Sequence, residues 1–464
     1  MFSSNLKSTS LLVQLATANA TYSKYSYCLR RLLHDFNNIF YSDRFTKNAN
    51  KYRKYAILNH KKFRNCSSVV TNKRLDSKIN QSSKSNLVLG IETSCDDTGA
   101  AVVDHHGNVI GEALHNQTKT HIQFGGIIPP VARDLHKQHI ESVVNEALSS
   151  ANVNLQDLDA VAVTVKPGLA LSLRVGLDYA LKLVEKSGKP LIPIHHMEAH
   201  ALTARMIQRI DFPFLVLLVS GGHCLLAVAR GVSDFLLLGH GMDDSPGDAF
   251  DKTARQLKLK NLPQFAEVPG GVAIETLAKL GNPKAFAFPH VLTQTPNCHF
   301  SFAGIKFAAK RLIESEEISQ DVSASSVLPN AADVCASFQF GVLQHLAKRV
   351  QRGLLFCELK GLLPETNKTL VVSGGVASNK FLRAGLVKVC DKYSCKVVCP
   401  PPKLCTDNGI MIAWNGMEKL LSQEDFAQDP ENVDIQPRCP LGVDISEEVS
   451  NTALKLPRIK LLDT

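Results

Sequence analysis

Three histidines lie within the segment PLIPIHHMEAHALTARM, residues 190–206. His196 and His200 are four residues apart, so on a helix they share one face, with Cβ atoms roughly 6 Å apart. Two imidazoles in that arrangement can ligate one cation. His195 faces elsewhere and is not a predicted ligand. Spacing alone leaves both a metal pair and two structural histidines open, and it does not name a third ligand.

The same segment could suggest a zinc peptidase, because Glu198 lies between the two histidines. Zinc peptidases of the zincin type carry HExxH, in which the glutamate directly follows the first histidine. Here the order is HMEAH. The zincin pattern is therefore absent.

Four loops that follow apolar runs could approach a phosphate or nucleotide. They are ETSCDDTG (92–99), VSGGH (219–223), VPGGVAIE (268–275) and VSGGVASN (372–379). Glycine has no Cβ, so backbone N–H groups can come close to an anion, and a following helix aims its positive end at it. Each loop alone is an ordinary tight turn, and neither GxxxxGK[ST] nor GxGxxG occurs. Together they favour a nucleotide site between two lobes. Asp251 of DDSPGDAFDK (243–252) is placed to accept hydrogen bonds from a ribose or amino acid, and a solvated, capped helix start is the alternative for this segment.

The elements that must position these residues follow an α/β pattern. A strand–polar turn–strand unit occurs at 87–111 and again at 213–231, which predicts a duplicated lobe. Helical periodicity covers 134–151 and 172–188, and buried strands are expected at 158–168 and 189–194. The sequence thus predicts an α/β fold of two related lobes.

Charge separates the first 86 residues from the rest. They hold 16 Lys and Arg against three Asp and no Glu, whereas the whole chain of 464 residues has a net charge of +9. Basic, hydroxylated and acid-poor composition is typical of a mitochondrial transit peptide, and a disordered basic arm is the alternative. The twelve scattered cysteines contain no CxxC pair, which fits reduced thiols. The sequence contains no run of 18 or more apolar residues, so it predicts no membrane span.

Nine motifs in order over about residues 87–420 carry a resemblance to one family. They are GIETSCDDT, GGIIPPVARDLH, HHMEAH, VSGGH, GDAFDKTA, PGGVAIE, FSFAGIK, GGVASN and TDNG. The chain resembles the TsaD/Kae/Qri family of tRNA N6-adenosine threonylcarbamoyltransferases, formerly described as glycoproteases. Two stretches, GGIIPPVA and PGLALSLRVGL, look like its mitochondrial branch.

The resemblance implies an actin-like ATPase (ASKHA) fold: two ribonuclease H-like lobes with a central cleft. The division expected is a leader (1–86), an N-terminal lobe (87–212), a C-terminal lobe with nucleotide and metal loops (213–440) and a tail (441–464). The implied reaction moves threonylcarbamoyl from threonylcarbamoyl-AMP, supplied by a separate synthase, to N6 of adenosine 37 in mitochondrial tRNA. Codons read by these tRNAs begin with adenine, and the reaction forms t6A and AMP. A homodimer in the mitochondrial matrix is expected.

The resemblance also assigns site residues. It implies that His196, His200 and Asp407 bind one divalent metal, with iron, zinc and magnesium all open. Substrate contacts are expected at Leu218, Val219, Ser220, Gly221 and Gly222 on the phosphate side. The nucleotide or threonyl part is expected at Asp251, Gly271, Glu275, Ser378, Asn379 and Thr406. Lys306 is a candidate for neutralising the acyl-phosphate, and no covalent nucleophile is expected.

Two other functions stay open at this point: a metallopeptidase of glycoprotease type and a non-enzymatic, chaperone-like ATP-binding module. Since the acceptor is tRNA while the body is mildly acidic, a local basic patch is expected. The candidates are KRVQR (348–352) and a group formed by Arg255, Lys258 and Lys260. Solvated helix faces are the alternative for both.

Overall fold

The computed structural model describes residues 85–124, 126–323 and 325–462. All but the last two residues of the predicted leader lie outside this part, so the transit-peptide prediction is not tested by it. Two mixed β-sheets with helices on their faces make up the described chain. None of its helices is long and apolar enough to cross a bilayer.

The first sheet is built from the strands β1 (Leu87–Glu92), β2 (Asp97–Asp104), β3 (Val109–Asn116), β4 (Ala160–Lys166) and β5 (Leu191–His195). Their order is β3-β2-β1-β4-β5, with β1 to β3 antiparallel and β4 and β5 added in parallel. After the short α1 (Thr118–Gln123), the helices α2 (Pro129–Ala151) and α3 (Ala170–Ser187) cover one face. Both faces are covered, which explains why β1 reads as a continuous apolar run.

The second sheet repeats this order. Its strands are β6 (Phe214–Val219), β7 (Cys224–Ala229), β8 (Phe235–His240), β9 (Lys368–Ser373), β10 (Cys395–Val398) and β11 (Val443–Asp444). From one edge they run β11-β8-β7-β6-β9-β10. As in the first sheet, three antiparallel strands (β8, β7 and β6) are followed by two parallel ones, and the short β11 is added in parallel to β8. The duplicated lobe predicted from 87–111 and 213–231 is confirmed, and the two ribonuclease H-like lobes give the actin-like ATPase fold.

One face of the second sheet carries a large apolar core. It is closed by the helices α5 (Pro246–Gln256), α6 (Gly270–Ala278), α7 (Ala303–Ser319), α8 (Ala331–Lys360) and α9 (Lys380–Asp391). Leu215, Leu217 and Val219 of β6 point into this core, and the alternate residues of β6 point to the opposite face.

Two central helices are exchanged between the sheets. α4 (His196–Ile207) follows β5 of the first sheet, yet its Met197 and Leu202 pack with Phe214 of the second. α10 (Gly409–Ser422) follows β10 of the second sheet, yet its Ala413 and Met417 pack against the first. The two helices also contact each other, so each lobe is completed by a helix from the other.

This packing differs from the expected division at residues 212 and 213. β6 does begin the second sheet there, but α10 belongs to the first lobe by its contacts. Gln436 N also donates to Val165 O of β4, so the chain after α10 stays on the first lobe. The predicted tail then docks on the second lobe through β11 and the short α11 (Ser446–Asn451). Hydrophobic periodicity shows which face of a helix is buried, but it does not show which sheet covers that face.

Candidate metal centre and substrate cleft

The predicted metal ligands converge at the starts of the two central helices. His196 is the first residue of α4 and His200 lies one turn later, while Asp407 comes just before α10. Asp407 Oδ1 is 3.1 Å from His200 Nε2 and 3.4 Å from His196 Nε2. One possible ligand atom from each residue lies within 4.8 Å of the others. Among the described residues, this is the one group of three or more His, Cys, Asp or Glu side chains arranged in this way.

A buried glutamate behind the triad orients the first histidine. Glu92, at the end of β1, has Oε2 3.2 Å from His196 Nδ1 and 2.6 Å from the hydroxyl of Thr164. Ser94 N donates to the other carboxylate oxygen, and Ser94 Oγ lies 3.1 Å from His196 Nδ1. Because Nδ1 of His196 is engaged by these partners, Nε2 is the nitrogen presented to Asp407.

The electrostatics of the triad favour a positive charge. Burial opposes protonation of His196, but Asp407 and Glu92 outweigh it and raise its pKa to about 10. Burial also opposes ionisation of Asp407, yet His196 and His200 bring its pKa well below the usual range. His200 Nδ1 is buried without a hydrogen-bond partner in the described chain. Two imidazoles and a carboxylate that converge in this way fit a divalent metal. Catalytic metal sites usually have three protein ligands.

His223 lies near the triad and was not predicted as a site residue. It ends the VSGGH loop, and burial together with His196 and His200 lowers its pKa to about 4. Glu92 and Ser94 were also missed as functional positions. Both lie in GIETSCDDT and His223 lies in VSGGH, so the motifs contained them without showing what they contact.

The loop after β6 is placed to offer its backbone rather than its apolar side chains. Leu218 and Val219 are buried in the cores on the two faces of the sheet. Ser220 Oγ accepts hydrogen bonds from Gly222 N at 3.3 Å and from His223 N at 3.0 Å, which shapes the turn. Gly221 and Gly222 have open space where a Cβ would point. The backbone of the predicted phosphate loop is therefore accessible at its two glycines, although Gly222 N is already engaged by Ser220 Oγ.

Residues predicted to hold the nucleotide or threonyl part fall into two groups. Gly271 N donates to Asp251 Oδ1 at 3.3 Å, and Lys380 N donates to Glu275 Oε1 at 2.8 Å. Asn379 is buried, caps α9 and donates to Gln339, so its amide is already committed. Ser378 hydrogen-bonds Cys405, next to Thr406 and Asp407. Ser378 thus lies against Cys405, two residues before Asp407, whereas Asp251, Gly271 and Glu275 lie around the first turns of α6.

Lys306 does not reach the cleft as a free cation. Its ammonium pairs with Asp244 and lies 3.9 Å from Asp248, which also pairs with Lys252 at 2.8 Å. Ser245 caps α5, as the capped-helix alternative for DDSPGDAFDK expects. Lys306 is engaged in this acidic cluster.

One expected basic patch is wrong. Arg349 and Arg352 of KRVQR are only 2% and 4% exposed. Arg349 donates to three carbonyls of the loop 292–297, and Arg352 donates to Val449 O and Thr452 O. These guanidiniums satisfy buried backbone groups and present no phosphate-binding surface.

The other expected patch lies on a cavity of about 430 Å³ between the two lobes. Arg255 and Lys260 line it from the second lobe, and Asp96 and His121 line it from the first. No acidic side chain lies within ion-pair distance of Arg255 or Lys260 among the described residues, whereas Lys258 pairs with Glu317 at 2.6 Å.

The fold and site define a class of protein: an actin-like ATPase-fold chain with a convergent His–His–Asp group that could hold a metal ion. Over residues 108–414 the chain matches the family described as TsaD: tRNA N6-adenosine threonylcarbamoyltransferase. It therefore belongs to this family of transferases.

Individual relatives agree. The "tRNA N6-adenosine threonylcarbamoyltransferase, mitochondrial" of Mus musculus is 54% identical over 375 residues, or 81% of this chain and 91% of the mouse protein. The Homo sapiens protein of the same name is 52% identical with the same coverage. A solved HypF structure from T. kodakarensis shares 14% identity and a TM-score of 0.44, over 73% of this chain and 48% of that chain.

Proposed function

We propose that this chain transfers the threonylcarbamoyl group of threonylcarbamoyl-AMP to N6 of adenosine 37 in mitochondrial tRNAs that read codons beginning with adenine. The observation that carries the proposal is the convergence of His196, His200 and Asp407 beside the VSGGH loop. Family membership and the mitochondrial names of the mouse and human relatives support the reaction and the compartment. The proposed location is the matrix, with the leader as transit peptide.

The donor is a mixed anhydride and is already activated. The N6 amine attacks the carbamoyl carbon, a C–N bond forms, the bond from that carbon to the phosphate oxygen breaks, and AMP leaves as N6 loses a proton. A divalent metal in such a site supplies polarisation of a carbonyl or phosphoryl oxygen. No covalent intermediate is required, so catalysis consists mainly of positioning and charge stabilisation.

The chain's own groups have separate tasks in this proposal. The N–H group of Gly221 binds the phosphate side, where no Cβ blocks its approach. Gly222 N joins it only by giving up its hydrogen bond to Ser220 Oγ. Asp251, Gly271 and Glu275 contact the nucleotide or threonyl part, together with Ser378, Asn379 and Thr406. Leu218 and Val219 contribute only backbone. Lys306 acts on the phosphate only if it leaves Asp244.

The cavity lined by Arg255 and Lys260 is the proposed entry of the tRNA strand. Its two unpaired cations suit phosphates, and its first-lobe wall includes Asp96, two residues from Ser94, which lies 3.1 Å from His196. Binding there should weaken with salt because phosphate contacts release counterions. A separate synthase as the source of the donor and a homodimer as the assembly remain proposals that rest on the family resemblance.

The metallopeptidase alternative lacks a general base on α4. Glu198 lies about half a turn around the helix from His196 and His200. Its carboxylate pairs with buried Lys419 at 3.0 Å. The chaperone-like alternative leaves the His–His–Asp group without a role.

The first test is a transfer assay with purified protein, threonylcarbamoyl-AMP and an unmodified mitochondrial tRNA that reads an ANN codon. Wild type, His196→Ala and the exposed His290→Ala are compared by nucleoside mass spectrometry. We expect t6A and AMP with wild type and His290→Ala only. A metal-loaded wild type that forms no t6A would refute the proposal, and release of ADP or peptides would favour an alternative.

The tRNA entry is tested separately by filter binding at several salt concentrations. Arg255→Glu/Lys260→Glu should weaken tRNA binding at least tenfold and reduce its salt dependence. Lys186→Glu, an exposed change on α3 that does not line the cavity, is the matched control. Unchanged affinity in the double variant would exclude this entry while leaving the transfer reaction intact.

A further inference from the structure

Two buried ion pairs join the helices that carry the metal ligands. Glu418 and Lys419 are adjacent on α10 and are only 6% and 2% exposed. Lys419 Nζ lies 3.0 Å from Glu198 Oε2 of α4. Arg205 Nε, in the last turn of α4, lies 2.9 Å from both oxygens of Glu418.

The surroundings hold each pair in place. Lys419 also contacts Asp425 at 2.9 Å. Arg205 donates to the carbonyl of Ile210, and its guanidinium lies 4.1 Å from the centre of the Phe212 ring. Both pairs therefore have fixed geometry on the α4 and α10 sides.

Buried pairs of this kind are poor stabilisers. Removing two charges from water carries a large desolvation cost, and an apolar pair of similar volume is often as stable or more stable. What a buried pair does define is geometry, because a shift that separates the charges leaves each of them uncompensated. Apolar contacts between α4 and α10 lack this directionality, and several involve small side chains such as Ala199 and Ala413.

The first turn of α4 touches both ends of α10. His196 meets Asp407 just before the first turn of α10, and Glu198 meets Lys419 near its last turn. Lys419 lies ten residues after Gly409, the first residue of α10, so these contacts are separated by roughly 15 Å along the helix axis. A slide or rotation of α10 that moved Asp407 away from the histidines would also have to break the Glu198–Lys419 pair.

We propose that Glu198–Lys419 and Arg205–Glu418 form a positioning clamp that sets the distance between the histidine pair and Asp407. The clamp matters because α4 packs chiefly against the second sheet and α10 against the first, so the triad joins two helices that rest on different sheets. Its loss weakens metal binding more than it weakens folding. This inference rests on the proposed function only in taking the triad as a metal site.

The test measures metal affinity and stability on the same variants. Glu198→Met/Lys419→Met removes both charges and leaves no buried charge unpaired, because Asp425 is half-exposed and keeps its bond from Ser233. Co²⁺ is the probe, with its dissociation constant from competition against a chromophoric chelator and its visible spectrum as a report of ligand geometry. Urea unfolding of the metal-free protein gives the stability.

We expect at least a tenfold higher dissociation constant for Co²⁺ and a changed spectrum, with an unchanged or higher urea midpoint. The control Lys258→Met/Glu317→Met removes a partly buried pair at 2.6 Å that lies on neither central helix, and should leave Co²⁺ binding unchanged. Glu418→Gln is the second variant, since Arg205 is partly exposed and remains hydrogen-bonded. It should raise the dissociation constant about threefold.

Wild-type affinity and spectrum in a folded Glu198→Met/Lys419→Met protein would overturn the clamp. If that variant does not fold, wild-type affinity in Glu418→Gln overturns it. A wild-type protein that binds no Co²⁺ would remove the metal centre and with it the proposed function. Tight Co²⁺ binding by the wild type that neither variant weakens would refute the clamp and leave the metal centre and the proposed function standing.

Discussion

Close packing of α10 on the first sheet is the feature of the fold that most directly places Asp407. A Cβ on Gly90 of β1 would lie 2.6 Å from both Ala413 Cα and Gly409 O, and closer still to Ala413 N. A Cβ on Gly416 would lie 2.5 Å from Ala162 Cβ. Glycine on both surfaces therefore lets the helix backbone rest directly on the strands.

Gly90→Ala should disturb this contact in a defined direction. Ordinary Cβ contacts lie at 3.4–4 Å, so α10 must move away from β1 by about 1 Å. Overpacking of this kind typically costs about 1–3 kcal/mol, and the lower backbone entropy of alanine in the unfolded chain offsets up to about 1 kcal/mol. We expect a net loss of about 1–2 kcal/mol, with a folded protein.

The effect on transfer should exceed the effect on stability. Asp407 lies two residues before α10, so a shift of the helix carries the ligand with it. A misplacement of about 1 Å can cost about a hundredfold in rate, and we expect that order of loss in kcat/KM for t6A formation at a temperature where the variant is fully folded.

The assay pairs urea unfolding with single-turnover transfer, and Gly231→Ala is the control. That glycine lies between β7 and β8, and a Cβ there would meet Asp234 Cβ at 3.4 Å, so both measurements should stay at wild-type values. Wild-type transfer by a folded Gly90→Ala protein would show that the position of α10 does not determine that of Asp407. A loss of transfer no larger than the folded fraction explains would lead to the same conclusion.

Three further predictions concern other parts of the molecule. Burial, helped by Arg349, lowers the pKa of His345 to about 3. From about pH 6.5 downwards, the unfolded chain takes up a proton at His345 that the folded chain does not. The free energy of unfolding of the wild type should therefore fall by about 2 kcal/mol by pH 5 because of this group. His345→Gln, which keeps an acceptor for Ser301 N, should remove that loss in urea titrations, whereas His290→Gln should not; parallel pH profiles for all three proteins would contradict it. Arg349→Met leaves loop carbonyls unpaired and should destabilise by about 2–4 kcal/mol, while a fall in its tRNA affinity, measured by filter binding on folded protein, would restore the surface-patch hypothesis. Chelation should abolish transfer reversibly without changing the circular dichroism spectrum, since each central helix packs on a sheet; loss of helicity would mean that the metal is structural.

The duplicated lobe and the histidine pair could be predicted because both depend on local pattern. Strand–turn–strand units at 87–111 and 213–231 show as apolar runs on either side of a polar turn, and the i, i+4 spacing of His196 and His200 fixes their shared face. The predicted third ligand could not be found in this way. Asp407 is distant in sequence, and only the family resemblance, through TDNG, indicated it.

The exchanged helices and the buried arginines show what local pattern leaves undetermined. An amphipathic helix predicts a buried face, but the partner depends on how both sheets are oriented. Arg349 and Arg352 read as a basic surface because charged residues are usually exposed. Here the carbonyls of the 292–297 loop and of the C-terminal segment compensate their burial, and no local pattern announces such long-range acceptors.

Charge balance explains why the triad needs Glu92 as well as Asp407. The starts of α4 and α10 carry the positive ends of two helix dipoles, which favour anions and oppose a cation. Contacts with His196 keep the pKa of Glu92 and of Asp407 below the usual range despite burial. The two carboxylates therefore supply two negative charges beside the histidines. A divalent cation bound there would be neutralised by these two charges, while the helix N-termini would remain free to attract the phosphate of an acyl-adenylate. Glu92 thus belongs to the site by charge as well as by its hydrogen bond to His196, although it is not a predicted ligand.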